Sequence, residues 1–510
     1  MAEDQQPVLT DLISKSKFSK ITWFIAAICG ILFALVAFLS ITWIFQLPCS
    51  NVRSESTFKE NTNRRCNSKQ SAFPESWLKF FHISDIHVDP EYDANISKHT
   101  FCRLTNDSSP AEYEAPYGRP RCDSPRLLVE NVFHAMNKIS MEEARPDFII
   151  VTGDMSAHDL GTPKGGVVFE AISVATDELY KRFPDTYVFP CLGNNDIPED
   201  YYIPPHPQGW YNAVRAQWRD FVICEGCYWR QEQPPVNETE FTITFVTGGY
   251  YKAQLAPKLT LLVLNTNYFS VKATVQTELF LKTATRQLQW LESELEKADQ
   301  NDARVIISGH IPPGISTHGL TPLWFENYTK AYVKLTAARY PHVIGGQLYG
   351  HLHRDDFRFF YDHDNEPTVE QSAAFILTGS LTPIYENNPS FRLVYIDDVT
   401  KSFIDYKQWY LNLAMANEHR ETYWQYEYAF SEAYPSCLGQ VIDNQRIMQL
   451  SDGIISKSND HTWLQYIWHR TNMYIPDKDT FSQNLQYCCI RSSTEEELEK
   501  CKKDHPFIPG

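Results

Sequence analysis

The chain is 510 residues long, 43% hydrophobic and 21% charged, with a formal net charge of −17 at pH 7. That excess of negative charge argues against a nucleic-acid-binding surface. It leaves a phosphorylated substrate open, because bound metal cations override the global field locally.

Residues 1–20 read as a short cytosolic tail. Ile21–Phe45 carries no charge. About 20 apolar residues span a bilayer, and this run is longer than the roughly 7–15-residue apolar segment of a signal peptide. Trp23 and Trp43 stand near its two ends, and Lys15, Lys17 and Lys20 flank its N-terminal side. Interfacial aromatics and cytosolic lysines belong in those places. The expectation is an uncleaved anchor of a single-pass type II membrane protein, with the remainder lumenal (lysosome or vacuole) or extracellular. Residues 46–75 are polar and read as a stalk. Four glycosylation sequons, at Asn95, Asn106, Asn237 and Asn327, and eleven of the twelve cysteines lie beyond the span. Both features suit an oxidising compartment. Cys224 and Cys227 are separated by two intervening residues with no second such pair, which favours a structural disulfide over a zinc or redox site. The other pairings are not readable from sequence.

From about residue 76 to 400, short apolar runs alternate with helical patterns at Pro125–Glu142, Val167–Phe183 and Thr283–Ala298. That alternation predicts a layered α/β domain. Five runs end in metal-ligand residue types. Asp85 and His87 follow Phe80–Ile83; Gly153 and Asp154 follow Phe148–Val151; Gly193, Asn194, Asn195 and Asp196 follow Tyr187–Phe189. Gly309 and His310 follow Val305–Ile307, and Gly350, His351 and His353 come after Val343 and Ile344. Buried parallel strands read as continuous apolar runs, and ligands gather at the carboxyl ends of such strands. Two carboxylates, four imidazoles and an amide oxygen suit zinc, iron or manganese better than calcium or magnesium. Seven donors are too many for one tetrahedral ion. They fit two ions about 3.5–4 Å apart that share a bridging carboxylate, lower the pKa of a bridging water and clamp phosphoryl oxygens.

The ordered set DxH, GD, GN, GH and GHxH resembles the signature of the calcineurin-like metallophosphoesterases. Around it, His82–Pro90, Cys122–Pro125, Leu264–Asn267, Gln287–Leu291, Gly309–Gly314 and Gly346–His351 are similar to the acid sphingomyelinase-like phosphodiesterases. The resemblance implies a two-sheet sandwich flanked by helices. It implies that Asp85, His87 and His353 hold one metal ion, that Asn194, His310 and His351 hold the other, and that Asp154 bridges them. It places His158 near the substrate phosphate and suggests two divalent transition-metal ions, zinc above all. Strands at Ala374–Thr378 and Arg392–Ile396 are expected to complete the second sheet. Residues 401–510, with Cys437, Cys488, Cys489 and Cys501, read as a mainly helical appendage.

One position departs from the pattern. The third motif usually reads Gly-Asn-His, with the histidine facing the leaving group, and here it reads Gly193-Asn194-Asn195. An amide donates a hydrogen bond but transfers no proton at ordinary pH. Either His158 protonates the leaving group, or the preferred leaving group needs no proton. The first reading is a phosphodiesterase acting on a small phosphorylated substrate, either a phosphodiester, lipid or otherwise, or a nucleotide phosphoanhydride. The second is an endopolyphosphatase cleaving polyphosphate, a sister branch associated with Gly-Asn-Asn-Asp and an N-terminal anchor. A third, of another class, is a catalytically weak membrane-tethered binding protein.

Overall fold

The computed structural model describes residues 74–160, 164–273, 275–361, 368–436, 441–455, 460–474 and 482–506. They fall within one compact unit, Lys69–Gly510. The expected tail, anchor and nearly all of the stalk lie outside the described residues, as does Cys437. Among the described residues no helix is long and apolar enough to cross a membrane.

Twelve strands are described: β1 (Leu78–Ile83), β2 (Phe148–Val151), β3 (Tyr187–Pro190), β4 (Tyr251–Ala256), β5 (Leu259–Val263), β6 (Arg304–Ser308), β7 (Ile344–Tyr349), β8 (Asp356–Tyr361), β9 (Ser372–Leu377), β10 (Ser390–Ile396), β11 (Phe403–Leu411) and β12 (Trp424–Ala429). They form two six-stranded mixed sheets, in the orders β12-β11-β10-β1-β2-β3 and β4-β5-β6-β7-β9-β8. Within the first, β1, β2 and β3 run parallel, with Phe80 opposite Phe148 and Phe148 opposite Tyr187. Within the second, β5, β6 and β7 run parallel.

Side-chain alternation explains the layering. Leu261, Val263 and Ile306 pack into a core shared with Phe80 and Ile150 of the first sheet. Their neighbours Leu262, Val305 and Ile307 pack on the opposite face with Phe280, Leu291 and Leu295 of helix Glu278–Gln300. Thr277 caps that helix by accepting from the Phe280 N–H. On the far side of the first sheet, helix Arg126–Glu142 buries Leu128, Val129, Val132, Phe133 and Met136, a three-to-four-residue stripe. The two-sheet sandwich with flanking helices is therefore present.

Two expectations need correction. The strand at Arg392–Ile396 does not complete the second sheet. As β10 it pairs antiparallel with β1 in the first, with Phe81 opposite Leu393. The segment after residue 400 does not start helical: β11 and β12 extend the first sheet, and helices dominate only from Phe430. β11 hides its period because seven of its nine residues are buried, polar Asp405 and Gln408 among them.

Disulfides join Cys102 to Cys122, Cys224 to Cys227 and Cys488 to Cys501. The second is the pairing expected from its spacing. The side chains of Asn95, Asn106, Asn237 and Asn327 are all exposed.

Candidate metal centre

The carboxyl ends of β1, β2, β3, β6 and β7 converge, and each hands its ligand types to the loop that follows. Those loops are bent sharply. Asp85, His87, Asp154, His351 and His353 all adopt positive φ, between 47° and 69°. Non-glycine residues rarely do so, and such strain persists only where surrounding structure over-determines it. Asp196 supplies part of that hold. Its carboxylate accepts from the N–H groups of Asp154, Met155, Ser156 and Gly193 at 2.8, 2.8, 3.1 and 2.9 Å. Gly193 is required by close approach: a Cβ there would lie 2.0 Å from Asp154 Oδ1.

The side chains then meet. Asp154 Oδ2 is 3.4 Å from His87 Nε2 and 3.1 Å from His310 Nε2. Asp85 Oδ1 is 3.2 Å from His353 Nε2 and 3.8 Å from His87 Nε2. His310 Nε2 is 3.1 Å from Asn194 Oδ1 and 3.3 Å from His351 Nδ1. Three clusters have ligand atoms close enough to hold a metal ion: Asp85, His87 and Asp154; Asp154, His310 and His351; and His87, His158 and His353. Asp154 belongs to two of them. Both ring nitrogens of His87 and Nδ1 of His353 are buried without a hydrogen-bond partner. Buried polar atoms are rarely orphaned in this way, and nitrogen donors facing carboxylates suit a transition-metal pair.

Electrostatics fit the same use. Burial opposes charge on His87 and His310, but the surrounding carboxylates, Asp85 and Asp154 foremost, outweigh it and lift both to about 9. Burial and the His310 charge push His351 well below its ordinary value, and burial lowers His353 to about 4. Burial raises Asp154, yet His310 and His87 more than offset it and hold the carboxyl ionised. Metal uptake through these nitrogens must therefore displace the protons on His87 and His310. Loading the metal-free protein at pH 7 is expected to release about two protons per chain, read by calorimetry in buffers of different ionisation heat. Release near zero would contradict this charge state.

Outside the ligand set, His158 is about one-fifth exposed and stacks on His87 with ring centroids 4.1 Å apart. Buried Asp123 accepts from its backbone N–H at 2.9 Å and lies 3.1 Å from its Nδ1. Thr382 donates to the same carboxylate at 3.1 Å. Asn195 is buried beside Asp154. Its backbone N–H and its Nδ2 donate to the two Asp154 oxygens, each at 2.8 Å. Asn194 Nδ2 donates to Asp200 at 2.8 Å, which leaves the amide oxygen for the His310 side. Tyr385 stands over the opening, 41% exposed, with its ring centroid 4.6 Å from that of His353. Asp123, Asp196 and Asp200 have no role in the sequence reading. Asp196 lies two residues past Asn194 and Asp123 lies within the Cys122–Pro125 stretch, whereas Asp200 has no local signal.

The chain is similar to known proteins along most of its length. The family model described as calcineurin-like phosphoesterase matches residues 78–355, and that of the acid sphingomyelin phosphodiesterase C-terminal region matches residues 369–490. The chain is 31% identical to human acid sphingomyelinase-like phosphodiesterase 3b over 370 residues, 70% of this chain and 76% of that one. It is 30% identical to human cyclic GMP-AMP phosphodiesterase SMPDL3A over 369 residues, 70% of this chain and 75% of that one. Sphingomyelin phosphodiesterase A of Dictyostelium discoideum is 26% identical over 475 residues, 90% of this chain and 73% of that one. The chain belongs to the calcineurin-like phosphoesterases, in their acid sphingomyelinase-like branch, and is a hydrolase of phosphoric esters.

Proposed function

We propose that Asp85, His87 and His353 hold one divalent transition-metal ion, that Asn194, His310 and His351 hold a second, and that Asp154 is shared. The pair serves hydrolysis of phosphodiester or nucleotide phosphoanhydride bonds. The observation that carries this reading is one buried carboxylate, Asp154, lying within 3.4 Å of His87 and 3.1 Å of His310. The donor chemistry favours zinc. When bound, such a pair supplies an activated water and Lewis-acid stabilisation of phosphoryl charge.

The chain's own groups do the rest. Asn195 steadies the Asp154 carboxylate with two N–H donors and has no proton to give. His158, with Asp123 behind its Nδ1, presents Nε2 as the proton donor to the leaving oxygen. Tyr385, whose phenol burial pushes up to about 12, stays neutral and lines the leaving-group side.

The name of one relative points to cyclic dinucleotides as a substrate class. The test is a panel of a cyclic dinucleotide, a nucleoside triphosphate, long-chain polyphosphate and sphingomyelin. Turnover of either nucleotide well ahead of sphingomyelin is the expected result. Turnover of long-chain polyphosphate alone would favour the second reading, which Asn195 supports by giving the leaving group no acid. No turnover of any member would overturn both.

The same proposal carries the domain order: tail 1–20, anchor 21–45, stalk 46–75, and a catalytic region from 76 whose first sheet runs on through β12 before the helices that start at Phe430, with everything past the anchor lumenal or extracellular. Four exposed sequon asparagines and three disulfides support that topology. Full-length protein is expected to resist carbonate extraction and to lose mass with glycosidase. A soluble form beginning beyond residue 45 would refute the anchor.

A further inference from the structure

His158 has two backbone contacts that the metal ligands do not explain. Its N–H donates to Asp123 at 2.9 Å, and its carbonyl accepts from an Arg103 NH2 group at 2.7 Å. The other arm of the same guanidinium donates to the carbonyl of Asp159 at 3.0 Å, and its Nε donates to Asp89 at 2.8 Å. Arg103 is 7% exposed and Asp89 2% exposed. Burial lifts Asp89 to about 6, against the pull of Arg103. A buried arginine with a carboxylate behind it and two carbonyls in front of it is a fixed bracket, because its planar fork loses little freedom on bonding.

The bracket is itself anchored. Cys102, next to Arg103, is bonded to Cys122, next to Asp123, and both sulfurs are fully buried. The disulfide therefore closes a loop whose two ends carry the two groups that grip His158. The segment just before the loop braces it: Asp93 N–H donates to the Cys102 carbonyl at 2.7 Å and the Tyr92 hydroxyl donates to the Ala115 carbonyl at 2.7 Å. Asp159, the residue held after His158, sits at φ 47°. A left-handed backbone beside the imidazole needs such support.

We propose that Arg103, fixed by Asp89 and the Cys102–Cys122 disulfide, is a positioning residue for His158 and so determines which leaving groups the enzyme can expel. This rests on His158 being the proton donor. Arg103 touches no substrate. It holds the peptide groups on the C-terminal side of residue 158 while Asp123 holds the N-terminal side, so the ring keeps its aim at the leaving oxygen. A misplacement of about 1 Å is enough to cost a catalytic group on the order of 10²-fold.

The test uses the full-length, metal-loaded enzyme and two esters of one nucleotide, a methyl and a p-nitrophenyl phosphodiester. Arg103→Met is expected to slow the methyl ester about 10–100-fold and the p-nitrophenyl ester less than about threefold, with metal content unchanged. In a His158→Ala background, Arg103→Met should add nothing, since a residue acting through another has no effect once that other is gone. Arg103→Lys keeps the charge on Asp89 but not the fork. It should shift the ratio of the two rates the same way by a smaller factor, which guards against misfolding of the methionine variant. Cys102→Ser/Cys122→Ser should do likewise. Equal slowing of both esters, or independent effects of Arg103→Met and His158→Ala, would overturn the positioning role. If His158→Ala itself showed no leaving-group dependence, the assignment of the proton donor would fall first, and this proposal with it.

Discussion

Asp154→Asn is expected to lose most of its bound metal and to turn over at least about 10³-fold more slowly. Lewis-acid stabilisation of phosphoryl charge amounts to several kcal/mol, and each 1.36 kcal/mol is tenfold in rate. The substitution keeps shape and removes charge. It also turns a donor toward Asn195, whose N–H and Nδ2 both point at this carboxylate. A stability measurement separates charge from folding. In the metal-free protein His87 and His310 are lifted to about 9, above the ordinary 6.5. A group raised in the folded state stabilises it fully below the unfolded pKa and loses that contribution as pH rises through the folded one. Metal-free wild type should therefore melt at a lower temperature at pH 9.5 than at pH 6. Asp154→Asn removes the main carboxylate facing His310 and should flatten that slope. Full metal occupancy and wild-type turnover in the variant would refute the shared-ligand assignment.

His158→Ala should produce a loss that depends on the leaving group. General-acid assistance is typically worth about 10²–10⁴-fold, and it matters most when the departing oxygen is a poor leaving group. Alkyl phosphodiesters are expected to lose rate within that range. Aryl esters and phosphoanhydrides, whose leaving groups depart as stable anions, should lose far less. Asn195→His should raise the alkyl rate selectively, because it places a second imidazole beside Asp154. Measuring both variants across an alkyl, an aryl and an anhydride substrate gives ratios immune to errors in active-enzyme concentration. A uniform factor across all three substrates in both variants would mean that neither position handles a proton, and that Asn195 serves only to hold Asp154.

The centre is legible in sequence because the first ligand of each loop follows a glycine or serine at the end of an apolar run, and parallel strands end on a common edge. Neighbours across such an edge need no local signal beyond the strand itself. The partners of His158 were not legible for the opposite reason. Asp123 lies 35 residues from it in the chain and Arg103 lies 55. An aspartate in a loop, or an arginine after a cysteine, has many ordinary roles. The sheet placement of β10 was hidden similarly. Its apolar run is compatible with either sheet, and what decides is the free edge of β1. β11 was missed because buried polar side chains, Asp405 and Gln408, mask the pattern by which strands are recognised, and β12 because most of its residues are only half-buried or exposed.

The pairing of β1 with β10 also sets a timetable. Leu78 of β1 lies opposite Ile396 of β10, so roughly 300 residues must leave the ribosome before that edge of β1 is covered. At about 5–20 residues per second, an apolar strand edge that leads directly to Asp85 and His87 stands open for on the order of a minute or less. During that interval the first sheet cannot close on both sides of β1. Unpaired strand edges recruit other chains. Biogenesis of this enzyme therefore depends on whatever shields nascent chains in its compartment, and a substitution that slows synthesis between β3 and β10 would lower yield while leaving the mature protein's activity per molecule untouched.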